Sequence, residues 1–314
     1  MYKVGILMDR IDSVNFNTDS TISIIKSLQN KTEVKLIFPE TIHKVLNNIH
    51  ATVCNIKIIS LQKNEYSITK KYKINLNKFD CIFFRKDPPV NQEYVTILQL
   101  LKELECQNTL VLNSPTSLLH YNEKILGYIL SKPKIPTVIG NDFKEIKKLL
   151  EKYNEIVLKP INLMAGNGII KINNKKGSDV IIKDFLKKYK FVVAQKYLKI
   201  IKNGDNRIII YNGIIEKNIL TRYPPKNDFR ANISFGGYYK INEIKKKYIP
   251  LIEEIAAFLK YHGIFFAGVD MIGQYITEIN ITSPTGIQQI GNRLSMKIAN
   301  QLLKNIDIYH SGCK

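Results

Sequence analysis

Between residues 3 and 112 the chain alternates strand-length apolar runs with helix-length amphipathic ones, and that alternation constrains its fold more than any other feature. Residues 3–8 read as a buried strand. Residues 18–30 read as a helix, because Ile22, Ile25 and Leu28 recur at helical spacing. Residues 33–38 form a second strand, closed by Pro39. Residues 51–60 and 66–74 read as a strand pair at a sheet edge. The apolar run 80–85 ends in Arg85; residues 93–106 read as a helix and 109–112 as a further strand. Strands that alternate with helices pack as an open α/β sheet. The pattern predicts an N-terminal open α/β domain over residues 1–122.

Beyond it the pattern becomes α+β. A short helix (122–130) precedes Pro133 and Pro136. Then come a helix (143–153), a strand (155–159), a glycine-bearing turn, a strand (168–172), a helix (179–189) and a strand (191–196). A hairpin follows, with strands 207–211 and 214–222 joined by Asn212-Gly213. Asn-Gly favours the tight turn whose twist matches that of paired strands. Pairing across it places Arg207 near residue 218, with Arg222 about four residues further on. Residues 223–238 read as a polar loop. A helix (242–261), a second hairpin (265–272 and 275–280) and a C-terminal helix (287–304) complete the chain. Such units, joined by loops, describe a body that closes over a ligand.

Composition excludes several classes. The 314 residues fit about two domains at ~150 residues each. No apolar run approaches the ~20 residues of a membrane span, so no membrane partner is expected. Asp9 and Asp12 interrupt the first apolar run too early for a signal peptide. Cysteines 54, 81, 106 and 313 show no CxxC spacing, so neither a zinc ribbon nor a disulfide scaffold is indicated and a reducing, cytoplasmic location fits best. The net charge of +20 invites a nucleic-acid reading. However, 41 of the 47 basic residues are lysine, and isoleucine (51) and asparagine (30) are inflated with it. These three residues share A/T-rich codons, so compositional drift explains all three excesses. Nucleic-acid readers favour arginine, whose planar fork grips phosphate and guanine. No nucleic-acid partner is expected, and the six arginines become conspicuous.

Three clusters carry candidate chemistry. In the second hairpin, Glu278 and Asn280 are two apart and share a face. A three- or five-residue connection, with Gly273 left-handed, pairs Asp270 with Ile276 and brings Asp270 onto that face. Two carboxylates and an amide suit Mg²⁺, a hard cation completed by water and phosphate. An isolated pattern of this kind is more often a solvated hairpin face; here the polar residues punctuate apolar runs, where a solitary acid needs a partner. Next, Lys159 ends a strand and Met164-Ala-Gly166-Asn-Gly168 follows. Such a turn can fold backbone N–H groups over phosphates while the lysine neutralises charge, although most turns of this type are plain bends. Finally, Arg207, Arg222 and Arg230 fall within 24 positions and could stabilise a reacting phosphoryl group.

In this order, Lys124, Lys159, the glycine turn, Arg207, Arg222, Asp270, Glu278 and Asn280 resemble the ATP-grasp ligases. The nearer resemblance is to the bacterial glutathione synthetase family, and it covers nearly the whole chain. It rests on Val4-Gly-Ile-Leu-Met-Asp9, Arg85-Lys-Asp-Pro-Pro89, Asn113-Ser-Pro115, Asn122-Glu-Lys124, Leu158-Lys-Pro160 and Thr277-Glu-Ile-Asn-Ile-Thr-Ser-Pro-Thr285. The resemblance implies an ATP-grasp fold of two α+β subdomains, 123–198 and 199–314, with residues 223–238 as a lid. It implies ATP as co-substrate, bound by Lys124, Lys159, Met164, Gly166, Gln195, Lys196, Tyr197, Leu198 and Asp205. It implies Mg²⁺ or Mn²⁺, two ions per site, on Asp270, Glu278 and Asn280. Arg207, Arg222 and Arg230 would act on the phosphoryl group. Asp9, Arg85, Asn113, Ser114, Asn232, Gly236, Gly237, Ser283 and Thr285 would meet the peptide substrate. The reaction implied joins γ-glutamylcysteine to glycine through an acyl phosphate, in a homo-oligomer, tetrameric in the family. Leu163, Ala165, Tyr238 and the run 286–289 depart from the family's pattern.

Overall fold

The computed structural model describes residues 1–312; Cys313 lies outside the described residues. The first sheet contains β1 (Lys3–Met8), β2 (Glu33–Ile37), β3 (His43–Val45), β4 (Asn48–Ser60), β5 (Glu65–Ile68), β6 (Tyr72–Asn75), β7 (Cys81–Arg85) and β8 (Leu110–Leu112). Its order is β3-β4-β2-β1-β7-β8, with β5 and β6 paired to β4. The β2-β1-β7-β8 core is parallel and β4 runs antiparallel to β2. Helices α1 (Ser20–Leu28) and α2 (Gln92–Glu105) are the crossovers, each started by a side-chain cap, Asp19 and Asn91. An open α/β sheet is what the alternation predicted. The chain then forms α3 (Pro115–His120), which the periodicity missed because Pro115 opens a helix of only six residues.

The second sheet is antiparallel, ordered β11-β10-β12-β9, from β9 (Thr137–Gly140), β10 (Glu155–Pro160), β11 (Ile170–Asn173) and β12 (Val192–Lys196). Helices α5 (Phe143–Tyr153) and α6 (Ser178–Tyr189) supply its apolar partners. Before them, α4 (Glu123–Leu130) packs on the third sheet instead. That sheet is also antiparallel, ordered β16-β15-β13-β17-β18. It comprises β13 (Asp205–Tyr211), β14 (Ile214–Ile215), β15 (Asn218–Tyr223), β16 (Tyr238–Glu243), β17 (Phe266–Ile272) and β18 (Tyr275–Asn280). Strand β16 occupies the start of the expected 242–261 helix, so α7 begins later (Ile249–Tyr261). The C-terminal helix is broken by Gly291 at φ 136°, giving α8 (Ile287–Ile290) and α9 (Asn292–Gly312).

Two registers differ from expectation. Across the Asn212-Gly213 turn, Tyr211 pairs with Ile214, but Arg207 then pairs with Leu220 and Asp205 with Arg222. Glu216 and Lys217 are extra residues on one strand, with buried Glu216 tied to Lys297 of α9. They move Arg222 to within two positions of Arg207's partner. In the second hairpin, Ile272 pairs with Tyr275 around a two-residue turn, with Gly273 left-handed at φ 62° as expected. The longer connection is not present. A bulge beyond Met271–Ile276 leaves Thr277 unpaired and sets Asp270 opposite Glu278. The shared face arises from the bulge, not from loop length.

The first and third sheets share two apolar cores, in which Leu7, Ile82 and Leu98 meet Ile208, Ile252 and Val269. The second sheet has its own core, around Ile146, Leu158 and Ile182. Among the described residues no helix is long and apolar enough to cross a membrane.

Candidate active site

Two cavities meet at the β17–β18 hairpin. The first lies between the second and third sheets. Lys159, Gly166, Gln195, Lys196, Tyr197, Leu198, Asp205, Arg230, Asp270 and Glu278 line it, with Val157, Ile169, Ile201 and Ile272 as apolar walls. The second, about 480 Å³, opens toward the first sheet and is lined by Arg207, Arg222, Asn280, Ser283, Thr285, Asp87 and Glu123. Asn232 touches both. The acidic hairpin is thus the wall between them.

Its electrostatics are an alternating row. Asp205 accepts from Arg222 at 2.5 Å, Arg222 reaches Asp270 at 3.0 Å, and Arg207 grips Asp270 through two bonds of 2.5 and 2.8 Å. Burial pushes the Asp270 carboxyl up, but Arg207 and Arg222 more than reverse this and hold it at about 2. Asp205 lies at about 6, because burial outweighs the pull of Arg222 and the Asp270 charge adds to the rise. Arg222 shares its charge between both acids, so Asp205 receives less of it. Among the described residues the Asp205 Oδ1 has no hydrogen-bond partner.

Asn122 caps α4 by accepting from the N–H of Lys124 and Ile125. This points Lys124 inward, where Nζ donates to the Leu163 carbonyl at 2.6 Å and pairs with Glu278 at 3.1 Å. One lysine therefore ties the glycine turn to the acidic hairpin. Lys159 donates to Gln195 at 2.9 Å, and Gln195 donates to Thr137 of β9 at 3.1 Å. Burial lowers the Lys159 ammonium, Glu278 opposes this and Lys124 reinforces it. In the turn, Ala165 is left-handed at φ 57°, a conformation in which glycine carries no Cβ penalty.

Arg230 does not join the other two arginines. Asp228 holds its guanidinium, which stacks 3.5 Å above Phe235 and donates to the Gly166 carbonyl at 3.3 Å. It belongs to the wall of the first cavity. Met164, expected on the nucleotide side, lines the second.

Of the expected peptide contacts, Ser283, Thr285 and Asn232 line the second cavity. Asp9, Arg85, Asn113, Ser114, Gly236 and Gly237 do not line it. Asn113 donates to Phe266 and Ile281 carbonyls and accepts from the Phe266 N–H, so its polar atoms are spent tying the first sheet to the third. Arg85 is buried against Phe83 and Phe266 and supports the 283–285 segment through the Pro284 carbonyl at 2.9 Å. Asp9 accepts from Lys86 Nζ and the Asp87 N–H, which orders that turn. The Ser114 N–H donates to Gly263, and Gly237 lies under the Ala231 carbonyl. Glu123 went unassigned in the sequence, yet its Oε1 accepts from Ile281 N, Thr282 N and Thr282 Oγ1. Only the motif Asn122-Glu-Lys124 hinted at it, and that motif does not say which segment the glutamate faces.

Asp270, Glu278 and Asn280 fit a hard divalent cation. Asp270 is ionised, and the bulge sets it opposite Glu278 with Asn280 two residues along the same face. Among the described residues no three His, Cys, Asp or Glu side chains form a ready metal cage. Two carboxylates with an amide would need phosphate oxygens to complete the shell, which is how Mg²⁺ is usually bound.

Known proteins resemble this chain in sequence and in fold. Residues 123–295 match the family model for the prokaryotic glutathione synthetase ATP-grasp domain, and residues 2–118 match the N-terminal domain model of the same family. The glutathione synthetase of Wigglesworthia glossinidia brevipalpis is 36% identical over 310 residues, covering 98% of each chain. That of Buchnera aphidicola subsp. Baizongia pistaciae is 33% identical, covering 97% of this chain and 95% of the relative. A D-alanyl-alanine synthetase A from Vibrio cholerae superposes with a TM-score of 0.64 at 15% identity, over 98% of this chain and 99% of the other, a likeness of fold. The chain belongs to the prokaryotic glutathione synthetase family.

Proposed function

We propose that the chain joins γ-glutamylcysteine to glycine at the expense of ATP, in the cytoplasm. One observation carries this reading. The Asp270–Glu278–Asn280 wall, braced by Arg207 and Arg222, separates a cleft with nucleotide-type walls from a cavity floored by the 283–285 segment. A phosphoryl group crossing from one ligand to the other must pass that wall.

The chemistry follows from the weakness of a carboxylate as an acyl donor. The cysteinyl carboxylate oxygen attacks the γ-phosphorus of ATP, the bond to the β-phosphate oxygen breaks, and ADP leaves. The amine of glycine attacks the acyl phosphate carbon, loses a proton, and the tetrahedral adduct expels phosphate to leave an amide. Lys124 and Lys159 neutralise nucleotide phosphates, and the apolar walls with residues 195–198 hold the base. Arg207 and Arg222 stabilise charge on the transferred group through preorganised donors. A divalent ion held by Asp270, Glu278 and Asn280 would supply charge neutralisation between phosphates. Because water destroys an acyl phosphate, residues 223–238 act as the lid over the site.

A coupled assay for ADP release tests the proposal. Turnover is expected with γ-glutamylcysteine plus glycine and not with either alone. Turnover only with another amino acid would reassign the acceptor; ATP binding without turnover on any acceptor would make the chain a non-catalytic nucleotide binder.

A further inference from the structure

Each acid at the two cavities has a cationic or N–H partner, with one exception. Asp270 and Asp205 share the arginines, and Glu278 has Lys124. Glu123 is spent on the 281–282 backbone. Among the described residues Asp87 has no ion pair, although it lines the second cavity. Ser283 lines the same cavity beside it. Lys86, next in sequence, turns away to Asp9, and Arg85 directs its hydrogen bonds to Thr21 and Pro284. Burial raises the Asp87 carboxyl, with Ser283 and Arg85 opposing, so its charge is poorly solvated. A carboxylate of this kind is stabilised by an incoming cation.

We propose that Asp87 is the specificity-determining residue that receives the α-ammonium of the γ-glutamyl head. This rests on the ligase reading above. The reacting carboxylate must lie by Arg207, which touches the Thr285 carbonyl at 3.1 Å. Asp87 lines the same cavity as Ser283, which is two residues earlier than Thr285 and at most ~7 Å from it along the chain. An extended γ-glutamylcysteine, lying along this segment with its carboxylate at Arg207, reaches Asp87 with the only ammonium it carries. Glycine's amine must instead meet the acyl phosphate at the other end.

The test is a cycle of two enzymes and two substrates, γ-glutamylcysteine and glutarylcysteine, which lacks only the α-ammonium. Wild-type enzyme is expected to favour γ-glutamylcysteine by roughly 30-fold or more in kcat/KM, the scale of a lost buried charge pair. Asp87→Asn should lose that preference by slowing γ-glutamylcysteine while leaving glutarylcysteine within about threefold and the KM for glycine unchanged. Asp87→Glu, which keeps the charge, should restore part of the preference. A preference that survives in Asp87→Asn, or an equal loss on both substrates, overturns the assignment; so does a wild type that does not discriminate. Wild-type inactivity on both substrates would overturn the ligase reading itself.

Discussion

Glu278 and Asp205 flank the same cleft but stand in opposite electrostatic positions. Glu278 is about a quarter exposed and pairs with the nearly buried Lys124. Glu278→Ala is expected to lower turnover by about 10²-fold or more, the scale of removing a preorganised charge at a reacting phosphate. It should cost about 1–3 kcal/mol of stability, less than a fully buried pair because solvent screens the glutamate. Full activity in this variant at any Mg²⁺ concentration would remove Glu278 from the metal site. Asp205 titrates near 6 in the fold against 3.8 when unperturbed. Between those values the folded state holds a proton that the unfolded chain has lost, so this group makes stability fall as pH rises through the window. Asp205→Asn abolishes that contribution. The variant's unfolding free energy minus the wild type's should therefore rise from about pH 4 to about pH 6 and level off above it. Chemical denaturation across this range decides it; a flat or falling difference refutes the raised carboxyl. Arg207 and Arg222 were legible as scarce residues in a lysine-rich chain. Their common target, Asp270, was not, because it depends on the register of strands 63 residues apart in sequence.

Elements were legible wherever periodicity was long. Strands β1, β7 and β17 and helices α2 and α5 fall within a residue or so of where their patterns place them. Registers were not legible, because a bulge has no composition signal of its own. Thr277 bulges between residues that would alternate equally well without it, and the inserted Glu216 finds its partner in Lys297 of α9, distant in sequence. The α4–β18 contact is another such element-scale decision. A Cβ added at Gly127 would stand 2.8 Å from the Glu278 Cα, which is backbone and cannot yield. Gly127→Ala is expected to lift α4, carrying Lys124, away from Glu278. The cost should be about 1–3 kcal/mol, as for other overpacked sites. Activity should fall further than the stability loss alone explains. Thermal unfolding with kinetics below the transition checks both, and unchanged kcat/KM would show that the helix position is not critical.

At the scale of the molecule, the second sheet packs around a core of its own, separate from the cores shared by the other two sheets. The inner cleft between it and the third sheet is about 110 Å³, and it adjoins a more open space of about 710 Å³ that shares Ile169, Tyr197, Phe229 and Arg230. Ligand pockets typically enclose ~300–1,000 Å³, so the inner cleft alone is too small for a whole nucleotide. Residues 223–238 cross that cleft, anchored by Arg230 on the Gly166 carbonyl, with Lys226 exposed. Trypsin is expected to cut after Lys226 in the free protein, and Mg·ATP with γ-glutamylcysteine should slow that cut several-fold. Unchanged cleavage would mean the segment does not close on ligands. The sequence by itself determined the alternation, and with it the open α/β sheet, the two hairpins and the glycine turn. These are local consequences of period, turn chemistry and side-chain spacing. Which acids face one another, which arginines they hold, and that Asp9 has an ion pair while among the described residues Asp87 has none were decided by tertiary structure alone. Charge pairing depends on distances of a few ångströms between segments far apart in the chain, and a one-residue bulge reverses which side chains share a face.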